Sequence, residues 1–257
     1  MSLTRLVLRF AAPPPKLLAF ERYLFVGPHP DDIEIGAGAT AARLAAMGKS
    51  VAFVICTDGR FGMEHAPAGS TPQTLIPLRK KESLLSAKKL GVEDVRFLNF
   101  PDGGAYDRDL LLRQMAWEIG RFKPEVIFAP DPDVISECHP DHRKAGECAR
   151  ELAFFAPFEG IMSRYGASAA PVQAVAFYMT AKPNRFVGTR KSFAAQAEAL
   201  ACHQSQFPQG DPATENLQTY LFLRSLDFGL RSFQGRAEGF RVLGRTQMHC
   251  LPEVGAY

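Results

Sequence analysis

The chain has 257 residues, 46% hydrophobic and 22% charged, the mix of a soluble globular protein long enough for one large α/β domain or two small ones. Its 30 basic and 27 acidic residues leave a net charge of +3, and no Lys/Arg stripe is interleaved with aromatics, so neither nucleic acid nor a membrane surface is expected as a partner. No apolar run approaches the roughly 18 residues of a membrane helix, and Cys56, Cys138, Cys148, Cys202 and Cys250 are scattered without a C-x-x-C, as in a cytoplasmic protein with reduced thiols.

The first segment, MSLTRLVLRFAAPPP, alternates apolar and polar residues and predicts an edge strand suited to a homo-oligomer contact. Arg9 and three prolines interrupt it, and no cleavage site follows, so it does not read as a signal peptide. Residues 1–20 are taken as an N-terminal extension. RYLFVG (22–27) predicts a buried strand, followed by the loop PHPDD and a small-residue helix over 36–48. SVAFVICT (50–57) is a second strand. The polar stretch 58–76 is long enough to be a functional loop. A helix over 78–90 stops at Gly91, and DVRFLNF (94–100) is the third strand. A helix over 109–122, the strand EVIFAP (125–130), the loop DPDVISECHPDH and a helix running through residue 154 complete the first half. VQAVAFYM (172–179) is a further strand, and helical patterns cover 189–204 and 215–230.

This order implies a doubly wound α/β fold, a mostly parallel sheet with helices on both faces. We read residues 1–257 as a single domain, with 157–257 an elaboration packed on the same sheet. In a sheet of order 3-2-1-4-5 the first and fourth strands are neighbours, and ligands bind where the order reverses between them. HPDD ends the first strand and HPDH follows the fourth, so residues more than a hundred positions apart converge.

The residue types suit a catalytic divalent metal with three protein ligands and an open position. His29 and Asp32 lie three apart, and if Pro30 starts the helix both side chains turn toward one point. His142 supplies the third ligand from the other loop. Imidazole ligands favour Zn²⁺, with Fe²⁺ and Co²⁺ also compatible. Asp31 is then free to act as general base toward water. His139, one turn before His142, is placed to stabilise an oxyanion or protonate a leaving amine, and Asp141 to orient His139 and raise its pKa. Asp58 either lines the crevice or caps its loop. Arg79, with Glu82 one turn on, has an intrahelical ion pair as its simplest role, Asp102 in FPDGG a turn, and His203 a structural one.

At these residues the chain resembles the LmbE-like, or PIG-L-type, zinc-dependent de-N-acetylases. The resemblance is carried by PHPDDIEIGAGAT, CTDGRFG, LRKKESLLSAKKLGVEDVRFLNFPDG, HPDH, KSFAAQAEALACHQSQF and RAEGF, in family order over roughly residues 22–240. It implies a Rossmann-like fold and removal of an N-acetyl group from a glucosamine-type sugar or glycoside, a small-molecule substrate. It implies zinc on His29, Asp32 and His142, Asp31 as base, and His139 supported by Asp141 as acid or oxyanion stabiliser. It also places Arg79 and Asp102 where relatives hold substrate hydroxyls or a headgroup. Arg236 departs from the aromatic residue expected before AEGF. Two other readings keep the site: an amidase cleaving a larger acyl or thiol conjugate, and a catalytically silent metal- or carbohydrate-binding protein. The completeness of the set His29, Asp31, Asp32, His139 and His142 argues against the last.

Overall fold

The computed structural model describes residues 3–249, 251 and 253. Cys250, one of the scattered thiols, falls outside them; the four described cysteines are free. The chain opens with α1 (Leu3–Ala11), where the sequence predicted an edge strand. Over so short a stretch two periods overlap: Leu3, Leu6, Val7 and Phe10 also follow the i, i+3, i+4, i+7 spacing of a helix face.

The elements then alternate: β1 (Arg22–Gly27), α2 (Asp32–Ala46), β2 (Ser50–Thr57), α3 (Pro72–Lys89), β3 (Asp94–Phe100), α4 (Arg108–Phe122), β4 (Val126–Pro130), α5 (Pro140–Phe155), the short α6 (Glu159–Met162), β5 (Ala174–Tyr178), β6 (Arg185–Gly188), α7 (Phe193–Leu200), α8 (Pro212–Ser232) and β7 (Ala237–Gly244). One seven-stranded sheet runs β3-β2-β1-β4-β5-β7-β6. Its first five strands are parallel in the expected 3-2-1-4-5 order. β7 then pairs antiparallel with β5 and β6 with β7, two strands absent from the sequence reading.

α3 begins at Pro72, so the loop after β2 is shorter than 58–76. Thr71 caps it, accepting the Thr74 N–H while Thr74 reciprocates, and Pro72 occupies the first turn.

Strand residues alternate between two cores. On one face Leu24, Val26, Val54, Ile127 and Phe177 pack with α4 and α5 residues such as Leu112, Met115, Ala149 and Leu152. On the other, Tyr23, Phe25, Phe53, Phe128 and Phe240 pack with Ile33, Ala37, Leu44 and Leu90 from α2 and the end of α3. Phe25 stacks on Phe128 with centroids 4.3 Å apart, pinning β1 to β4. α2 lies so close to β5 that a Cβ on Gly36 would sit 2.1 Å from the Tyr178 ring. That ring cannot retreat freely, because its hydroxyl donates to the Val26 carbonyl at 2.7 Å. The outcome is a rigid junction of β1, β4 and α2, with both motif loops leaving its C-terminal edge.

Candidate metal centre and active site

The loop after β1 turns on Asp31. It is the residue before α2, with φ at +128°, a conformation L residues rarely adopt. The helix therefore starts at Asp32, two residues later than if Pro30 opened it. Asp32 Oδ2 accepts the His29 backbone N–H at 2.8 Å and lies 3.1 Å from His29 Nδ1. From the other loop, Pro140 opens α5 and His142 sits in its first turn. His142 Nε2 comes within 3.3 Å of the same Asp32 oxygen.

His29 Nδ1 and His142 Nε2 thus both approach Asp32 Oδ2, from loops 110 residues apart in sequence. Four ligands at about 2.0–2.1 Å in a tetrahedron are about 3.4 Å from one another, and each histidine stands at about that distance from Asp32 Oδ2. Among the described residues, the groups whose ligand-type atoms all lie within 4.8 Å of one another are His29/His139/His142 and His29/Asp102/His139/Asp141; both hold His139, and Asp32 is in neither. The cluster stays charged in spite of its burial. Burial opposes ionisation of Asp32, yet His142 and His29 hold its carboxyl well below the usual range. Burial likewise opposes a charge on His29, yet Asp102, Asp141 and Asp32 hold it well above an ordinary histidine.

Around this centre the partners differ in part from expectation. Asp141 is fully buried, and its Oδ2 faces His29 Nε2 at 3.1 Å and accepts the Gly103 N–H at 2.9 Å. It lies 3.9 Å from His139 Nδ1, so its carboxylate orients His29 rather than His139. The His139 pKa is lowered, through burial and the neighbouring His29, rather than raised. The link to His139 is through backbone: the Asp141 N–H points to His139 Nδ1 at 3.3 Å. Asp102 also serves His29, with Oδ1 3.1 Å from Nε2, and is lowered to about 2: burial resists ionisation, but the His29 bond and charge outweigh it.

Asp31 is buried, and that burial pushes it up to about 6 against the pull of Arg79. Arg79, 3% exposed, does not pair with Glu82. It reaches from α3 to Asp31 Oδ2 at 2.7 Å, the Pro30 carbonyl at 2.8 Å and the Gly59 carbonyl at 2.7 Å. Glu82 is taken by the Ser205 N–H and hydroxyl. Asp58 is taken by Arg60, which engages both its carboxylate oxygens; of the two roles expected for Asp58, it is the loop fastening that the structure shows.

Several polar residues escaped the sequence reading. Glu34, buried one turn after Asp31, accepts the Ser86 hydroxyl at 2.5 Å and lies 3.3 Å from His203 Nε2. Glu137 Oε1 accepts the His139 N–H, and its Oε2 lies 3.0 Å from His142 Nδ1. The i+3 spacing of Asp31 and Glu34 could have flagged Glu34; nothing in the sequence pairs Glu137 with His142.

Residues 24–153 match the family model described as PIG-L, GlcNAc-PI de-N-acetylase. The diacetylchitobiose deacetylase of Thermococcus kodakarensis is 32% identical over 236 residues, covering 90% of this chain and 86% of its own. The 1D-myo-inositol 2-acetamido-2-deoxy-alpha-D-glucopyranoside deacetylase of Kineococcus radiotolerans is 34% identical over 196 residues, 64% of this chain and 53% of its own. Among solved structures, N,N′-diacetylchitobiose deacetylase from Pyrococcus horikoshii in complex with its inhibitor superposes with a TM-score of 0.82 at 30% identity, covering 97% of this chain and 93% of that one.

Proposed function

The chain belongs to the PIG-L de-N-acetylase family, and from that premise we propose that it hydrolyses the N-acetyl group of a glucosamine-type sugar or glycoside, releasing acetate and a free amine. The observation that carries this reading is the convergence of His29 Nδ1, Asp32 Oδ2 and His142 Nε2 beside the buried Asp31–Arg79 pair. His29, Asp32 and His142 would hold the ion, and their mixed nitrogen and oxygen donors suit Zn²⁺. A bound ion supplies Lewis acidity there, polarising the amide carbonyl and acidifying the attacking water.

Asp31 takes a proton from that water as its oxygen bonds to the acetyl carbon. The Arg79 guanidinium holds the Asp31 carboxylate in place through Oδ2, leaving Oδ1 for the water. Asp102 and Asp141 fix the His29 ring through Nε2, so Nδ1 faces Asp32. His139, with Nδ1 accepting a backbone N–H, carries its proton on Nε2 and can donate to the developing oxyanion. The C–N bond then breaks, and the proton gathered by Asp31 passes to the amine. Arg79 acts through Asp31 rather than on the substrate.

No helix among the described residues is long and apolar enough to cross a membrane, and the free thiols support a cytoplasmic setting. The continuous sheet supports a single domain. The test is acetate release from N-acetylglucosamine and N,N′-diacetylchitobiose, with metal analysis of the same sample. Activity in proportion to about one bound zinc per chain is expected; metal-replete protein that releases no acetate from either sugar would sink the reading.

A further inference from the structure

Between β4 and α5 the chain places Glu137 two residues before His139 and five before His142, and no step of the hydrolysis uses it. Its backbone is fixed in a turn, its own N–H donating to the Val134 carbonyl at 3.0 Å. Both carboxylate oxygens face the residues that follow. Oε1 accepts the His139 backbone N–H at 2.8 Å, where Pro140 opens α5. Oε2 stands 3.0 Å from His142 Nδ1.

The His142 ring therefore lies between two carboxylates, with Nε2 toward Asp32 and Nδ1 toward Glu137. Nδ1 is enclosed by protein and has no aligned hydrogen-bond partner, Glu137 Oε2 being near enough but off the N–H direction. A small rotation of the carboxylate closes that bond, and an enclosed N–H left without one is costly. A neutral imidazole carries one proton and one lone pair. A carboxylate beside Nδ1 draws the proton there and leaves the lone pair on Nε2. His29 shows the same arrangement with its nitrogens exchanged: Asp102 and Asp141 stand at Nε2, and Nδ1 is turned to Asp32. Each histidine thus turns one nitrogen to Asp32 and the other to a carboxylate outside the ligand set.

We infer that Glu137 is the positioning residue of the third ligand: it holds the His142 ring with its proton on Nδ1 and Nε2 free for the ion. The inference rests on the ion site proposed above. Glu137 acts through His142 and takes no part in the bond-making steps.

Glu137→Gln separates the two contacts. Its amide oxygen can still accept the His139 N–H, so the start of α5 keeps its tether, but an amide in place of Oε2 no longer draws the proton to Nδ1. Zn²⁺ affinity of the full chain is measured by competition with a chromophoric chelator for wild type and Glu137→Gln, with thermal melts of the metal-free proteins. Glu137→Gln is expected to bind Zn²⁺ about 10–100-fold more weakly, with its metal-free Tm unchanged and, at saturating Zn²⁺, KM for the acetylated sugar within about twofold of wild type. In Zn²⁺-loaded wild type, ¹⁵N-histidine NMR is expected to show His142 bound through Nε2 and protonated on Nδ1. Equal Zn²⁺ affinity in the variant, a loss of affinity matched by a lower metal-free Tm, or His142 bound through Nδ1 overturns the role of Glu137 and leaves the ion site in place. A wild type that binds no Zn²⁺ overturns the site itself, and Glu137 with it.

Discussion

Asp31 joins a positive φ, near-complete burial and a single guanidinium partner at the first residue before α2. Strained backbone of this kind costs of the order of 1–3 kcal/mol and persists only where the surroundings enforce it. Here the enforcement comes from Arg79 on one side and the His29–Asp32 turn on the other. Asparagine keeps an oxygen for Arg79 but cannot take a proton from water. Asp31→Asn should retain its metal and lose about 10²–10⁴-fold in turnover. Acetate assays paired with metal analysis check this, and near-normal turnover would remove Asp31 from the role of base. At this scale the candidate residues were legible in the sequence, because HPDD and HPDH are dense in ligand-type residues at fixed spacing. What it could not announce was pairing. Asp141 faces His29 and Arg79 holds Asp31, because these partners are chosen by tertiary approach rather than by neighbours along the chain.

At the scale of elements, the β-α alternation was plain because β1, β2 and β3 are apolar and β-branched runs bounded by turns. β7 was hidden for a physical reason. All eight of its residues are buried, yet Glu238 and Arg241 interrupt the apolar pattern. Each charge is answered elsewhere: Glu238 by the Ala39 and Thr40 N–H groups of α2 and the Gln196 amide, Arg241 by Asp131 and Asp133.

Burial pushes Glu238 up to about 7 from an unfolded value of 4.5. Below pH 4.5 the carboxyl is protonated folded or unfolded and imposes no penalty. Between the two values the unfolded chain releases a proton that the folded chain keeps, so stability falls as pH rises, by about 3 kcal/mol across the window. Glu238→Gln should flatten that part of the slope when urea melts at pH 5 and pH 7.5 are compared with wild type. An unchanged slope would mean that the group titrates normally. Gly36→Ala tests the packing of α2 on Tyr178: with the ring tethered to Val26, the added methyl should cost about 3 kcal/mol or more, read as a fall in Tm of roughly 6–12 °C.

For the whole molecule, four carboxylates (Asp31, Asp32, Asp102 and Asp141) are buried around one centre with His29. An ion bound to the native state alone stabilises it by mass action, by about 2.7 kcal/mol at a hundred times its dissociation constant. Chelation should therefore abolish acetate release and lower Tm by roughly 5–10 °C, with both restored by added Zn²⁺. A chelated sample with unchanged Tm would place no ion among these residues.

β7 also sets an order of events in biosynthesis. Its Glu238 grips the helix behind HPDD across 198 residues, and its Arg241 grips the loop leading to HPDH across 110. Every proposed ligand has been translated by residue 142, but the strand that clamps both halves follows about 100 residues later, some 5–20 s at ordinary elongation rates. Contacts of such long range are also the slowest to form. The histidines and carboxylates of both loops are therefore translated well before the strand that ties α2 to the second loop.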